Sequence, residues 1–487
     1  MRMVTPLQWR DPALLGLICA VIALLGGALL GFGGVILAAA AFAGLVVTVW
    51  FLRDFIFGFW VVIGIIILLP FAVFPVKIVF SPTFLDAALV GLIGVWLLRA
   101  MSNKDEEWRA EDGKQIRLRP PSSALRLIWA VAVFIGLTIF AFIAGLSHAP
   151  LTANVLRHFV ELLMSMALFF VVVESVRDHA SLERVVRALI LGGALAAALG
   201  IFLYALPDET ANRLLNLLRP LGYPGGDVLR YIEDNPDLPE RAIGTSVDPN
   251  VFGGMLIMAA TLALPQITAR KRLLPGLGSF LAIGLMVVCL ILTFSRGAFV
   301  GLASAAVGLA LVRYRRLLPL LLLGGLLLLF LPATQDYVAH FIEGLQAQDL
   351  ATQMRLGEYR DALTLIGRYP IFGVGFASAP DIDLYLGVSN VYLLIAEEMG
   401  LVGLVAFLGL VGMLFALAWR VRRPALADAR LEPLWLGVHA ALVGALVGGL
   451  FDHYFFNLDF HHVITLFWLM FGLAAAASQL AATKVHL

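Results

Sequence analysis

Four arginines in this chain stand within or beside the polar blocks that interrupt its apolar runs. Arg296 sits between two apolar runs with only Ser295 and Gly297 beside it, Arg241 shortly precedes Asp248-Pro249-Asn250, and Arg355 and Arg360 follow in a long polar stretch. A guanidinium grips phosphate oxygens through paired N–H bonds, so two or three converging arginines make a diphosphate clamp. An arginine beside an apolar span is costly and turns toward the protein interior or an aqueous cavity, unless it snorkels to the interface. Asp248 and Pro249 read as the N-cap and first position of a helix, whose free N–H groups also suit phosphate. Capping alone would equally explain Asp248.

A proton acceptor is the second requirement for chemistry. Asp452, His453, Tyr454, Asn457, Asp459, His461 and His462 crowd one short segment. His453, oriented by Asp452 or Asp459, would accept a hydroxyl proton near neutral pH. A structural role in an aromatic turn competes with that reading, and the His and Asp spacing matches no standard zinc pattern. Glu397 and Glu398 lie about two turns into an apolar run, where a carboxylate needs a partner such as an arginine or a place at the interface. Gly373 and Gly375, after Pro370, read as a turn in which backbone comes close to something.

The elements that must position these residues are apolar. The chain of 487 residues is 61% hydrophobic and only 14% charged, with mean hydropathy +0.95, which excludes an ordinary soluble globule. Fourteen apolar runs fall at about 12–32, 35–52, 55–74, 84–101, 125–146, 157–176, 185–205, 250–269, 277–295, 297–313, 316–332, 391–419, 433–451 and 462–481. Runs of this length cross a hydrocarbon core, and lipid demands that they be helical. With both termini cytoplasmic, 24 of the 34 lysines and arginines lie at inner ends. The expected fold is therefore an all-α polytopic membrane protein of about 14 transmembrane helices, its first span kept as an anchor. Residues 1–184 form an N-terminal helical part with a charged cytoplasmic loop at 102–124. Residues 185–481 form a second part whose long loops, 206–249 and 333–390, face outside. In the latter loop Tyr337, Phe341, Leu345, Leu356, Tyr359, Leu363 and Ile366 recur at helical spacing and would form an apolar stripe.

Taken in order, the blocks from Arg241 to Asn250, Thr293 to Gly297, Arg355 to Arg360, Pro370 to Gly375 and Ser389 to Gly403 resemble the O-antigen ligase/polymerase family, over roughly residues 185–480. The ligase signature is His, then Asn, Ser or Gln, nine residues, Gly, two residues and Gly. Asn390, residues 391–399, Gly400 and Gly403 match it, while Ser389 stands where ligases carry His. The resemblance implies Arg355 over Arg360 as the site arginine, with Tyr359 as its aromatic companion. It implies diphosphate binding by Arg241, Arg296, Arg355, Asn390 and Tyr359, with Asp248 and Ser389 at the catalytic centre; the His vacancy at Ser389 leaves the base to be sought in His453 and Asp452. Serine has no basicity near pH 7, so either the base lies elsewhere or the reaction is not a ligase's.

The implied activity is glycosyl transfer from a polyprenyl (undecaprenyl) diphosphate-linked glycan at the outer face of a bacterial cytoplasmic membrane, in polysaccharide biosynthesis for the cell envelope. The expected partners are the lipid-linked oligosaccharide, the bilayer, and a chain-length regulator or flippase. No metal, nucleotide cofactor or nucleic acid is expected. Ser389 favours a polymerase over a ligase that transfers glycan to lipid A-core or another acceptor. A carrier of anions, such as the bicarbonate assignment attached to some relatives, is the other class. Against it stand the long outer loops and the lack of an evident pair of broken helices.

Overall fold

The structure is a computed structural model that describes residues 50, 53–74, 81–107, 122–330, 335–346, 349–377 and 387–483. The first expected span, nearly all of the second, the N-terminal anchor, most of the charged loop 102–124 and Lys484 lie outside these residues. The chain divides into two units, 1–58 and 59–487. In the first, Trp50 meets Phe57 edge to face.

Helices α1 (Phe55–Leu68), α2 (Phe84–Glu107), α3 (Ser122–Gly145), α4 (Ala153–Ser175) and α5 (His179–Tyr204) come first. A polar insertion follows, with α6 (Asp208–Asn216) and an antiparallel ribbon of β1 (Arg230–Tyr231) and β2 (Glu240–Arg241). Then come α7 (Pro249–Thr268), α8 (Gly276–Leu292), α9 (Arg296–Val312), α10 (Leu317–Phe330), α11 (Gln335–Leu345) and α12 (Leu350–Arg368). The last helices are α13 (Val391–Ala427), α14 (Leu431–Gly448) and α15 (His461–Thr483). Every expected apolar run from 55–74 onward is thus helical. Eight helices among the described residues are long and apolar enough to cross a membrane, and α1, α8 and α9 are shorter apolar helices.

Helix α15 is buried on nearly every side and packs against α4, α13 and α14; α7 is enclosed by α5, α8, α9 and α14. A helix apolar all round belongs in a core, and Trp468, Phe471 and Phe252 fill this one. The periphery is apolar too. Trp129, Ile143, Leu277, Leu322, Phe330 and Trp419 all lie exposed. Side chains of that kind suit lipid, not water.

Polar contacts gather at two separate sets of helix ends. Arg241 reaches the Thr293 carbonyl, the Leu350 N–H reaches Glu233, and Arg296 pairs with Asp349. In the other set Arg313 pairs with Glu432, Arg430 with Glu183, and His179 with Asp428. The first set joins only segments expected outside, the second only segments expected inside.

On α12, Leu356 and Leu363 of the apolar stripe are exposed, while Ala362 and Leu365 are buried. Glu358 and Tyr359 on the same helix reach Ser389 and Leu450. Helix α13 is interrupted at Gly400, with φ 67° and ψ −175°; a single interruption is not the pair of broken helices found wanting in the sequence. The turn at 370–375 fills the gap. Val374 and Gly375 donate N–H bonds of 2.8 and 3.0 Å to the carbonyls of Glu397 and Glu398, and Leu401 donates one of 2.8 Å to Pro370. Gly373 and Gly375 have positive φ, and Gly375 lies against Gly145 of α3. The close backbone approach expected of this turn is made to the chain itself.

A side chain at Gly400 would meet the Ile371 carbonyl as well as adopt left-handed φ. Gly400→Ala should therefore cost more than the roughly 1–2 kcal/mol of backbone strain alone. Gly409→Ala, with nothing within 4 Å of a new methyl group, should be neutral or slightly stabilising. Thermal unfolding of the two variants in detergent makes the comparison.

Candidate active site

The site begins at the ribbon. Pairing of Arg230 with Arg241 and Tyr231 with Glu240 carries Arg241 to the start of α7. There its Nη2 donates to Asn250 Oδ1 and its Nε to the Thr293 carbonyl, both at 2.8 Å. Asp248 caps α7, its Oδ1 accepting from the N–H groups of Asn250 and Val251 at 2.8 and 2.9 Å. The residue before it, Val247, has φ 62°, and Phe294 in the α8–α9 turn has φ 50°. Left-handed β-branched and aromatic residues are strained, and such strain concentrates where a site over-determines the backbone.

Burial lowers Arg241 to about 10, Asp248 and Asp452 oppose this, and the positive charges of Arg355 and Arg296 deepen it. Arg241 remains a cation at neutral pH, and the three expected arginines share one electrostatic environment.

Arg296 opens α9, where the helix dipole disfavours a cation. Asp349 answers it: Arg296 Nη2 donates to Asp349 Oδ2 at 2.7 Å and to Thr352 Oγ1 at 3.3 Å. Asp349 is also the N-cap of α12, accepting from the Thr352 N–H. Burial would push the Asp349 carboxyl up, but hydrogen bonds from Arg296 and Thr352 hold it well below the usual carboxylate range.

Helix α12 then delivers Arg355, Glu358 and Tyr359. Arg355 is part-buried and Arg360 exposed, one inward and one outward as their five-residue separation requires. Arg355 Nη2 lies 3.8 Å from Asp452 Oδ2. Glu358 accepts the Ser389 N–H at 2.9 Å, and the Tyr359 hydroxyl donates to the carbonyls of Ser389 and Leu450, each at 3.3 Å. Asn390 caps α13 through Oδ1, which accepts from Tyr392 and Leu393, while its Nδ2 donates to the Leu450 carbonyl at 3.0 Å. Ser389 is thus held by its backbone, and its hydroxyl makes no hydrogen bond among the described residues.

The expected pairing of the His453 ring with Asp452 or Asp459 is not what the geometry gives. Asp452 Oδ1 accepts the backbone N–H of His453 at 2.8 Å, leaving ring Nδ1 at 3.9 Å, beyond hydrogen-bond reach. The ring lies over Phe460, and Nδ1 is buried without a hydrogen-bond partner. A carboxylate one residue away closes most easily on the next N–H, which removes it from the ring. Burial raises the Asp452 carboxyl; His453 and Arg355 oppose, and the nearby Asp248 adds to the rise. Glu397 and Glu398 are buried, and among the described residues neither meets the arginine that was one option for them and neither oxygen of Glu397 has a hydrogen-bond partner.

Sequence reasoning missed Asp349, Asn250, Glu358 and the Leu450 carbonyl. Asp349 three residues before Thr352 is a readable cap signal, but nothing in the spacing tells that it faces Arg296.

Asp349→Ala should take the carboxylate away from a part-buried guanidinium and cost on the order of 3–5 kcal/mol, measured by thermal unfolding. Replacing both partners together, Arg296→Met with Asp349→Leu, should recover much of that loss. The folded-state carboxyl titrates below its unfolded value, so the contribution is fully present above about pH 4–5 and fades only as pH falls further.

No curated protein matches the chain. The family model described as O-antigen ligase matches residues 281–408, a shorter stretch than the 185–480 expected. The matched stretch contains Arg296, Arg355, Tyr359, Ser389 and Asn390; Arg241, Asp248, Asp452 and His453 lie beyond it. Over the segment that opens α9, forms α12 and begins α13, the resemblance read from the motifs is a family match, to O-antigen ligase.

Proposed function

We propose that this O-antigen ligase-type membrane protein is a glycosyltransferase that extends a polyprenyl diphosphate-linked glycan at the outer face of a bacterial cytoplasmic membrane. The observation that carries the reading is the proximity of the part-buried Arg241, Arg355 and Asp248 to the buried Asp452 at the helix ends. Arg241 and Arg355 hold the diphosphate and stabilise the charge it gains on leaving. Arg296, through Asp349, fixes the start of the helix that carries Arg355. Tyr359 and Asn390 frame the sugar side, and the lipid tail lies against the apolar periphery. An acceptor hydroxyl attacks the anomeric carbon, the carbon–oxygen bond to the diphosphate breaks, and the diphosphate departs with the electron pair. The hydroxyl proton passes to Asp452, whose proton affinity burial has increased, with His453 beside it as a second acceptor.

Ser389 in place of His favours polymerisation over transfer to a lipid A-core acceptor, because a small hydroxyl leaves room for a growing chain end and supplies no base of its own. A chain-length regulator or a flippase would act beside it, and the 1–184 and 185–481 parts would divide anchoring from chemistry. A second reading draws on one observation. The interruption of α13 at Gly400, beside the buried carboxylates Glu397 and Glu398, also suits a carrier of small anions coupled to a cation or proton.

Purified protein in liposomes, supplied with polyprenyl diphosphate-linked repeat units, should yield longer glycans and free polyprenyl diphosphate. Arg241→Lys and Arg355→Lys keep charge but lose the fork, and each should slow extension by roughly tenfold or more. Asp452→Asn should cost about 10²–10⁴-fold, Ser389→Ala little, and His453→Ala an intermediate amount. A base works only when deprotonated, so the rate should rise with pH through the raised Asp452 value. Severe loss in His453→Ala with a mild Asp452→Asn would make His453 the base. Anion flux without glycan extension would establish the carrier instead.

A further inference from the structure

A second constellation lies away from the arginines, where three helices meet. Asp86 of α2, Glu161 of α4 and His461 of α15 are all buried, and one ligand atom from each lies within 4.8 Å of the others. Asp86 is half of a reciprocal cap: its Oδ2 accepts the Thr83 N–H at 2.7 Å while the Thr83 hydroxyl accepts the Asp86 N–H at 2.9 Å. That leaves Oδ1, which is buried and has no hydrogen-bond partner. It faces His461 Nδ1 at 3.5 Å, and Glu161 Oε2 faces the same nitrogen at 4.0 Å. Neither ring nitrogen of His461 has a hydrogen-bond partner, although the residue is only 8% exposed.

The 3.5 Å gap from Asp86 to His461 matches the spacing of two donors around one ion, and the 4.0 Å gap from Glu161 is somewhat wider. Two ligands at about 2.0–2.2 Å from a tetrahedral centre lie roughly 3.3–3.6 Å apart. Glu161 is held from behind, Oε1 by Arg157 Nε at 2.8 Å and Oε2 by His158 Nδ1 at 2.9 Å. Outer partners of this sort fix a ligating carboxylate. Arg157 offsets the charge of Glu161, but the buried Asp86 Oδ1 and the His461 ring have no hydrogen-bond partner among the described residues, and a cation between them would satisfy both.

We propose that Asp86, Glu161 and His461 bind a first-row divalent cation of the zinc type, one imidazole and two carboxylates being a donor set that such ions accept. The ion ties the turn before α15, which carries Asp452 and His453, to α2 and α4. The proposal stands apart from the glycosyltransferase reading, and its test needs no glycan.

Full-length protein in detergent, stripped with chelator, should take up about one Zn²⁺ per chain and unfold at a higher temperature when loaded. Co²⁺ in its place should give a visible d–d band. Asp86→Asn and His461→Gln should each weaken binding roughly tenfold or more, and His148→Gln should leave it unchanged. No ion retained by the wild-type chain after dialysis would overturn the proposal. So would unchanged binding in the Asp86→Asn, His461→Gln double variant. Should the variants fail to fold, metal content and the Co²⁺ band of the wild type decide alone.

Discussion

A guanidinium taken out of water must face negative charge, and the outer-loop segments of this protein are organised around that requirement. Arg241 feels the positive charges of Arg296 and Arg355. Among the described residues Arg296 alone of the three meets a carboxylate within hydrogen-bond distance, Asp349 at 2.7 Å, while Asp452 stays 3.8 Å from Arg355 and Asp248 Oδ1 caps helix N–H groups. Positive charge therefore exceeds what the nearby carboxylates neutralise at contact distance. A site left in that state is built to receive an anion, and low local polarity strengthens the attraction.

The helices supply the geometry through their ends. Asp248, Asp349 and Asn390 each cap a helix with one oxygen, and each lies beside an arginine or a carbonyl that closes the site. Capping and site-building are thus one act at three places. The break at Gly400 completes the frame, because the 370–375 turn locked into it ties the end of α12 to the first half of α13. Tyr359 and Asn390 then converge on the single carbonyl of Leu450, next to Asp452.

Much of this was legible in the chain. Apolar run length located the helices, since lipid leaves the backbone no alternative, and the Asp248-Pro249 and Asn390 starts follow from local chemistry alone. The arginines were legible as anomalies in an apolar setting. Pairings across long separations were not: Asp349 lies 53 residues from Arg296, and no periodicity links them. The contacts of Glu358 and Tyr359 with Ser389 and Leu450 were illegible for the same reason, since they too join distant segments. The trio of Asp86, Glu161 and His461 comes from three distant helices, so no local motif could announce it.

The central claim is that Arg241 and Arg355 act jointly on one diphosphate. A double-mutant cycle tests it most directly, with polyprenyl diphosphate binding measured calorimetrically for wild type, Arg241→Lys, Arg355→Lys and the pair. Joint action predicts non-additive losses, with a coupling of about 1 kcal/mol or more. Losses that add within roughly 0.3–0.5 kcal/mol would mean the two guanidinium groups serve separate ends, and would contradict the account.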